Sequence, residues 1–313
     1  MSTTVSRRGF LQSAAAGAVG FSATKIWADA GFPVIDIHQH THYHGRADKV
    51  MIGHQQAMGI GRSILLPAGS ERVRKSTRGG KSNGLAAKVA GNDEAMRIAK
   101  ENPGRFYFGA NEVTDLEDAR QVIEKYLKLG AVIIGEQKFD VEADSKESQE
   151  LYRLAADYQV PILLHFQHRT YNRGFERFHK MLEKHARTNF IGHAQTWWAN
   201  IDKAHNPETG LYPKGPVEPG GLTDRYLSDY PNMFADMSAG SGLNSLLRDE
   251  AHTIEFLDRQ QDKILYGSDC ADAIGRGPGC QGARTLAALR RLAKNETILR
   301  KILHDNAAKI IRF

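Results

Sequence analysis

The chain has 313 residues, 41% of them hydrophobic and 25% charged, enough for one large domain or two ordinary ones around a sizeable core. Its net charge of +6 comes without an aromatic-interleaved basic stripe, so nucleic acid is not an expected partner. Beyond the N-terminus no stretch approaches the roughly 20 apolar residues of a membrane-spanning helix. Two cysteines, Cys270 and Cys280, are too few for a disulfide scaffold, although a loop of this length lets them pair in an oxidising compartment.

The first segment reads as an address. Ser6–Gln12 (SRRGFLQ) holds paired arginines and a Phe-Leu step, followed by a mildly apolar run and Ala28-Asp29-Ala30. That is the pattern of a twin-arginine export signal. It predicts a signal over residues 1–30, passage through the twin-arginine translocation machinery, and a periplasmic or extracellular protein. Without that segment the chain loses three basic residues and one acidic residue, and the charge falls to +4.

From residue 31 onward short apolar runs alternate with amphipathic segments. The runs are VIDIH (34–38), RSILLPA (62–68), RFYFGAN (105–111), AVIIGEQ (131–137), PILLHF (161–166), NFIGHA (189–194), NMFADMS (232–238) and KILYGSD (263–269). Between them the spacing predicts helices over 115–130 and 148–161, and two closing helices within 288–311. Eight such βα units predict one (β/α)8 barrel over 31–313. A doubly wound sheet would want a glycine-rich loop after the first strand, and HQHTHYHG is not one. Gly80-Lys81-Ser82 resembles the end of a phosphate loop, but Lys75 stands where its first glycine belongs.

In a parallel barrel the carboxyl ends of the strands form one rim, where catalytic groups collect. These ends carry His38 and His40, Glu136 and Lys138, His165, His193 and Asp269. Period-two alternation puts Asp36, His38 and His40 on one face, with Ile35 and Ile37 packing outward against helices. Both imidazoles then reach one cation. Nitrogen and carboxylate donors suit one divalent ion, Zn2+ before Mn2+, Fe2+ or Ni2+. His42 and His44 lie past the strand end and read as loop residues.

The ordered set IDIHQH, PILLHF, IGHA and YGSDC resembles the amidohydrolase superfamily. Within it, the chain resembles the amidohydrolase-related branch of aminocarboxymuconate-semialdehyde decarboxylase, other non-oxidative aromatic-acid decarboxylases and lactone hydrolases. The resemblance spans residues 33–310. It implies His38, His40 and His165 as metal ligands, and Asp269 as a ligand that also takes the proton from the water. It implies that His193 orients water or polarises the substrate. Some branches bridge two metals through a fourth-strand carboxylate or carbamylated lysine, which directs attention to Glu136 and Lys138. HAQTWW departs from the HAGG-type turn usual after the sixth-strand histidine and leaves the substrate open.

The expected chemistry is hydrolysis, in which a metal-activated water attacks the carbonyl of a small lactone, ester or amide. Trp197 and Trp198 are candidates to wall a ring-shaped substrate, or else packing or subunit contacts in a homo-oligomer. Decarboxylation of an aromatic or unsaturated acid is the rival; it wants a guanidinium near the metal, with Arg169 and Arg173 as candidates. A metal-binding or ligand-binding barrel without turnover is the third reading, and Asp269 with His193 argues against it. The basic stretch 69–84 lies where it could cover an anionic substrate.

Overall fold

A computed structural model of the chain describes residues 31–70, 84–85 and 89–313. The export signal expected over 1–30 and most of the basic stretch lie outside the described residues.

The strands are β1 (Val34–Gln39), β2 (Ile60–Leu65), β3 (Phe106–Phe108), β4 (Ile134–Gln137), β5 (Ile162–His165), β6 (Phe190–His193), β7 (Met233–Met237) and β8 (Ile264–Tyr266). All eight expected runs are strands. Every pairing is parallel and sequential, β1-β2-β3 and β4 through β8. Backbone bonds from Ala110 to the Ile133 carbonyl (2.8 Å) and from Asp269 to the His38 carbonyl (2.7 Å) join β3 to β4 and β8 to β1. The result is a closed (β/α)8 barrel. Strands covered on both faces need apolar residues throughout, which is why these segments read as continuous runs rather than alternating ones.

The expected helix over 115–130 is shorter, Ala119–Lys128, and buries Ile123, Tyr126 and Leu127. That over 148–161 begins earlier, at Lys146, because the Ser145 hydroxyl accepts from the Ser148 amide and caps it; it ends at Tyr158 before Gln159 turns left-handed. The closing region is more divided than its periodicity predicts: helices Gln281–Leu292, Glu296–Arg300 and Asn306–Ile310, with a π-turn over Lys301–Asp305.

Two apolar layers result. The outer one packs Leu65, Phe106, Ile162, Phe190 and Met233 against the helices. The inner one gathers Ile35, Ile37, Ile64, Leu163, Ile191 and Leu265, plugged by Ile310 and Ile311. This corrects the alternation expected for β1. Ile35 and Ile37 belong to the interior, while Asp36 faces outward and accepts from Gln55 of the Asp48–Ala57 helix at 3.0 Å. A bulge explains the difference. Asp36 pairs with Ser63 and Gln39 with Leu65, so β1 spends an extra residue between them. The inserted residue resets the parity and turns His38 and His40 inward.

Among the described residues no helix is long and apolar enough to cross a membrane.

Candidate metal centre

At the carboxyl rim the interior lining changes from apolar to ionisable within one residue pair per strand. Leu163 and Ile191 point inward, so His165 and His193, two residues on, do so as well. On β7 the same step from Phe234 brings in Asp236. On β8 the step from Leu265 reaches Gly267, where a Cβ would stand 2.4 Å from Asp236 Oδ1 and 2.9 Å from the His38 Cβ. The missing side chain is the space that Asp236 and His38 occupy.

Two hydrogen bonds set the tautomers of the β1 histidines. His38 Nδ1 lies 2.7 Å from Asp236 Oδ2, and His40 Nδ1 lies 2.7 Å from the Leu66 carbonyl. Both oxygens only accept, so each Nδ1 carries a hydrogen and each Nε2 of the neutral ring offers a lone pair. The two Nε2 atoms are 3.1 Å apart. Glu136 Oε2 is 3.5 Å from both, and Asp269 Oδ1 is 3.8 Å from His38 Nε2 and 3.4 Å from His40 Nε2. Four electron-rich atoms thus converge in a buried place, and Asp269 Oδ1 has no hydrogen-bond partner. Ligands about 2.0–2.1 Å from a tetrahedral ion stand about 3.3–3.4 Å from one another. The donor set fits a divalent cation in size and chemistry.

Charge follows the same geometry. Burial alone would lower the pKa of His38, but the Asp269 and Asp236 carboxylates outweigh it and hold the ring well above its ordinary value. Burial likewise opposes the ionised forms of Asp269 and Glu136. His38 nevertheless brings Asp269 down, and Lys138, then His165, hold Glu136 well below the usual carboxylate range.

His193 borders the cluster, with Nε2 3.6 Å from Glu136 Oε1 and 3.8 Å from Asp269 Oδ2. That nitrogen is buried without a hydrogen-bond partner. Its Nδ1 lies 3.1 Å from Asp236 Oδ2, and Ser238 donates to the same oxygen at 2.8 Å. Asp236 therefore orients both His38 and His193. Sequence reasoning missed it. The available signal was a lone acidic residue near the end of an otherwise apolar strand, two residues from a serine.

His165 stands one step out. Its Nδ1 is 2.5 Å from Glu136 Oε1 and its Nε2 is 3.2 Å from the Gln167 amide, so it reaches the cluster through Glu136. Burial, then Lys138, lowers its pKa to about 4. Glu136, the fourth-strand candidate, is the fourth converging donor, and His165, a ligand by the resemblance, meets the cluster through it. Lys138 holds its ammonium 5.9 Å from the Tyr171 ring centroid.

The two tryptophans are corrected. Trp197 and Trp198 are buried in the outer apolar layer. Trp197 packs on Phe166 and Phe175, over Gly192, whose Cβ would come within 2.3 Å of the indole. Trp198 donates to the Asp236 carbonyl at 3.0 Å. Both indoles are at most 2% exposed. Arg169 is 74% exposed and paired with Glu208; Arg173 bonds Asp140 and Glu142. Instead, Tyr43, His44, Asp269, Asp272 and Gln281 line a cavity of about 330 Å³ at the rim, and Tyr43 sets its ring edge-on to His40. Cys270 and Cys280 are free thiols.

Fold and cluster together define a (β/α)8 barrel with a metal-type donor set at its catalytic rim. No family model and no curated protein matches the sequence. Solved structures share the fold. An uncharacterised TIM-barrel protein from Bordetella bronchiseptica superposes with a TM-score of 0.62 at 16% identity, over 89% of this chain and 98% of that one. A dihydroxybenzoic acid decarboxylase from Polaromonas, with bound manganese and the inhibitor 2-nitroresorcinol, gives 0.53 at 17% identity, over 89% and 96%. A probable 2-pyrone-4,6-dicarboxylic acid hydrolase from Acinetobacter baumannii with citric acid bound gives 0.52 at 12% identity, over 89% and 99%.

Proposed function

We propose that the protein is a metal-dependent hydrolase of the amidohydrolase superfamily, attacking the carbonyl of a small lactone, ester or amide. One observation carries the metal: two Nε2 atoms held 3.1 Å apart, with Glu136 and Asp269 carboxylate oxygens 3.4–3.8 Å from them, a donor set spaced for one cation. His38, His40, Glu136 and Asp269 would hold the ion, which supplies a water of lowered pKa and a Lewis acid for the carbonyl. Manganese in the Polaromonas decarboxylase supports a divalent ion on this fold.

The chain's own groups supply the rest. Asp269 stands beside the cluster, with Oδ2 toward His193. It accepts the proton that the attacking water loses and returns it to the leaving oxygen or nitrogen. His193, its Nδ1 held by Asp236, presents Nε2 to the carbonyl oxygen as that oxygen gains charge. Tyr43 and His44 border the approach. Hydrolysis is favoured over decarboxylation because, among the described residues, Arg46, Arg169 and Arg173 are already engaged. Arg46 clamps Gln39 and the carbonyls of Cys270 and Asp272, while Arg169 and Arg173 hold carboxylates. The pattern around Arg7 and Arg8 supports export by the twin-arginine route.

The test is a panel of lactones, esters and amides with the purified, metal-analysed protein, alongside hydroxybenzoate-type acids monitored for carbon dioxide. Hydrolysis that stops on chelation and returns with the ion is expected, as is a loss of about 10²–10⁴-fold in kcat for Asp269→Asn. Carbon dioxide release without hydrolysis would replace this reading. Full activity in Asp269→Asn would end the assignment of that residue.

A further inference from the structure

Behind the rim, on the outer side of β1 and β8, a second donor cluster plays no part in the chemistry above. His54 lies on the Asp48–Ala57 helix and Met58 directly follows it. Cys270 comes one residue after Asp269, and Cys280 caps the Gln281–Leu292 helix. Cys270 Sγ and Cys280 Sγ are 3.8 Å apart. His54 Nε2 is 3.3 Å from Cys280 Sγ, and Met58 Sδ is 3.8 Å from it. His54 and Cys280 are fully buried, Cys270 is 3% exposed and Met58 is 7% exposed.

The geometry points to a thiophilic cation site built from Cys270, Cys280 and His54, with the Met58 thioether as a fourth donor. Two thiolates about 2.3 Å from a tetrahedral ion stand about 3.8 Å apart, and a thiolate and an imidazole about 3.6 Å. The observed sulfur–sulfur separation of 3.8 Å matches, and His54 Nε2, at 3.3 Å from Cys280 Sγ, needs only a small outward shift. A disulfide brings the sulfurs to about 2.05 Å and gives no reason for an imidazole and a thioether to converge on the same thiol. Nothing bonds His54 Nδ1, so that nitrogen is free to carry the ring's hydrogen while Nε2 turns its lone pair toward the sulfurs. The Ala283 amide donates to Cys280 Sγ at 3.4 Å. Gly282 keeps the space open, since a Cβ there would meet Met58 Sδ at 2.9 Å. Sulfur donors select soft closed-shell ions, Cu(I) or Zn(II); a thioether favours Cu(I). An ion here also ties the Asp269-bearing loop to the Gln281–Leu292 helix.

The full chain is loaded anaerobically with Cu(I), and separately with Zn(II), in competition with a chromophoric chelator. Retention of one ion beyond the rim site is expected. X-ray absorption should show three sulfur scatterers, two thiolate and one thioether, with one nitrogen. A His38→Ala/His40→Ala variant keeps this ion, and Cys280→Ser loses it. Met58→Leu should weaken retention of Cu(I), and unchanged affinity for both ions would remove Met58 from the donor set. An absorption spectrum of nitrogen and oxygen scatterers alone would overturn the site whether or not the variants fold. So would retention of the ion by a folded Cys270→Ser/Cys280→Ser protein, or a chain that takes up no ion beyond the rim.

Discussion

Asp236 accepts from two histidines and a serine at once, so a single carboxylate decides which nitrogen of His38 and of His193 faces the barrel mouth. Asp236→Asn keeps the shape but offers an amide nitrogen where an oxygen was needed. Metal affinity should fall about 10–100-fold, measured by competition with a chelator, while the unliganded fold persists. Unchanged affinity would mean that the tautomers are set elsewhere. A second residue-scale effect lies far from the rim. Burial, then the charges of Lys184 and Arg153, hold the His185 imidazole below its ordinary pKa. The unfolded chain takes up that proton near pH 6.5 and the folded chain resists it. Stability is therefore present above that pH and is lost as the pH falls below it. In denaturant titrations at pH 7 and pH 5, His185→Gln should narrow the gap between the two midpoints. An unchanged gap would remove His185 from the account.

At the scale of elements, β1 and β6 show how local exceptions place chemistry. The bulge between Asp36 and Gln39 lets one strand serve both layers: isoleucines inside, an aspartate on the outer helix, then histidines in the mouth. Simple alternation puts Ile35 and Ile37 on the wrong side because an inserted residue leaves no mark in the sequence. On β6, Gly192 makes room for the Trp197 ring. Gly192→Ala forces a methyl into that ring and should cost about 1–3 kcal/mol, read as a lower denaturation midpoint with the fold retained. Adding Trp197→Leu should restore part of the loss. The paired indoles read equally well as a substrate wall or as packing; the hole left by Gly192, not the tryptophans themselves, decides for packing.

For the molecule as a whole, the rim is a concentration of buried charge. Asp236, Glu136, Asp269 and the two β1 histidines draw stability from mutual pairing that a cation completes. An ion present at about 100 times its dissociation constant contributes about 2.7 kcal/mol to the folded state. Chelation should therefore lower Tm by on the order of 5–10 °C, followed by scanning calorimetry with and without added zinc or manganese. A chelator-insensitive Tm together with no metal in the purified protein would contradict the donor-set reading.

The eight strands, their parallel order and the residues at their carboxyl ends were legible in the sequence. Apolar runs must recur wherever a strand is covered on both faces, and a βα succession leaves one closed arrangement. That rule also put His38, His40, Glu136, His165, His193 and Asp269 at one rim before any distance was known. What tertiary structure alone decided were relations between segments remote in the chain: Asp236 oriented toward β1 and β6, His165 bonded to Glu136, tryptophans turned away from the mouth, and thiols gathered with His54 behind it. Periodicity reports which way a residue faces within its own element. Which partner it meets depends on how separate elements pack, and that information is not carried by neighbours in sequence.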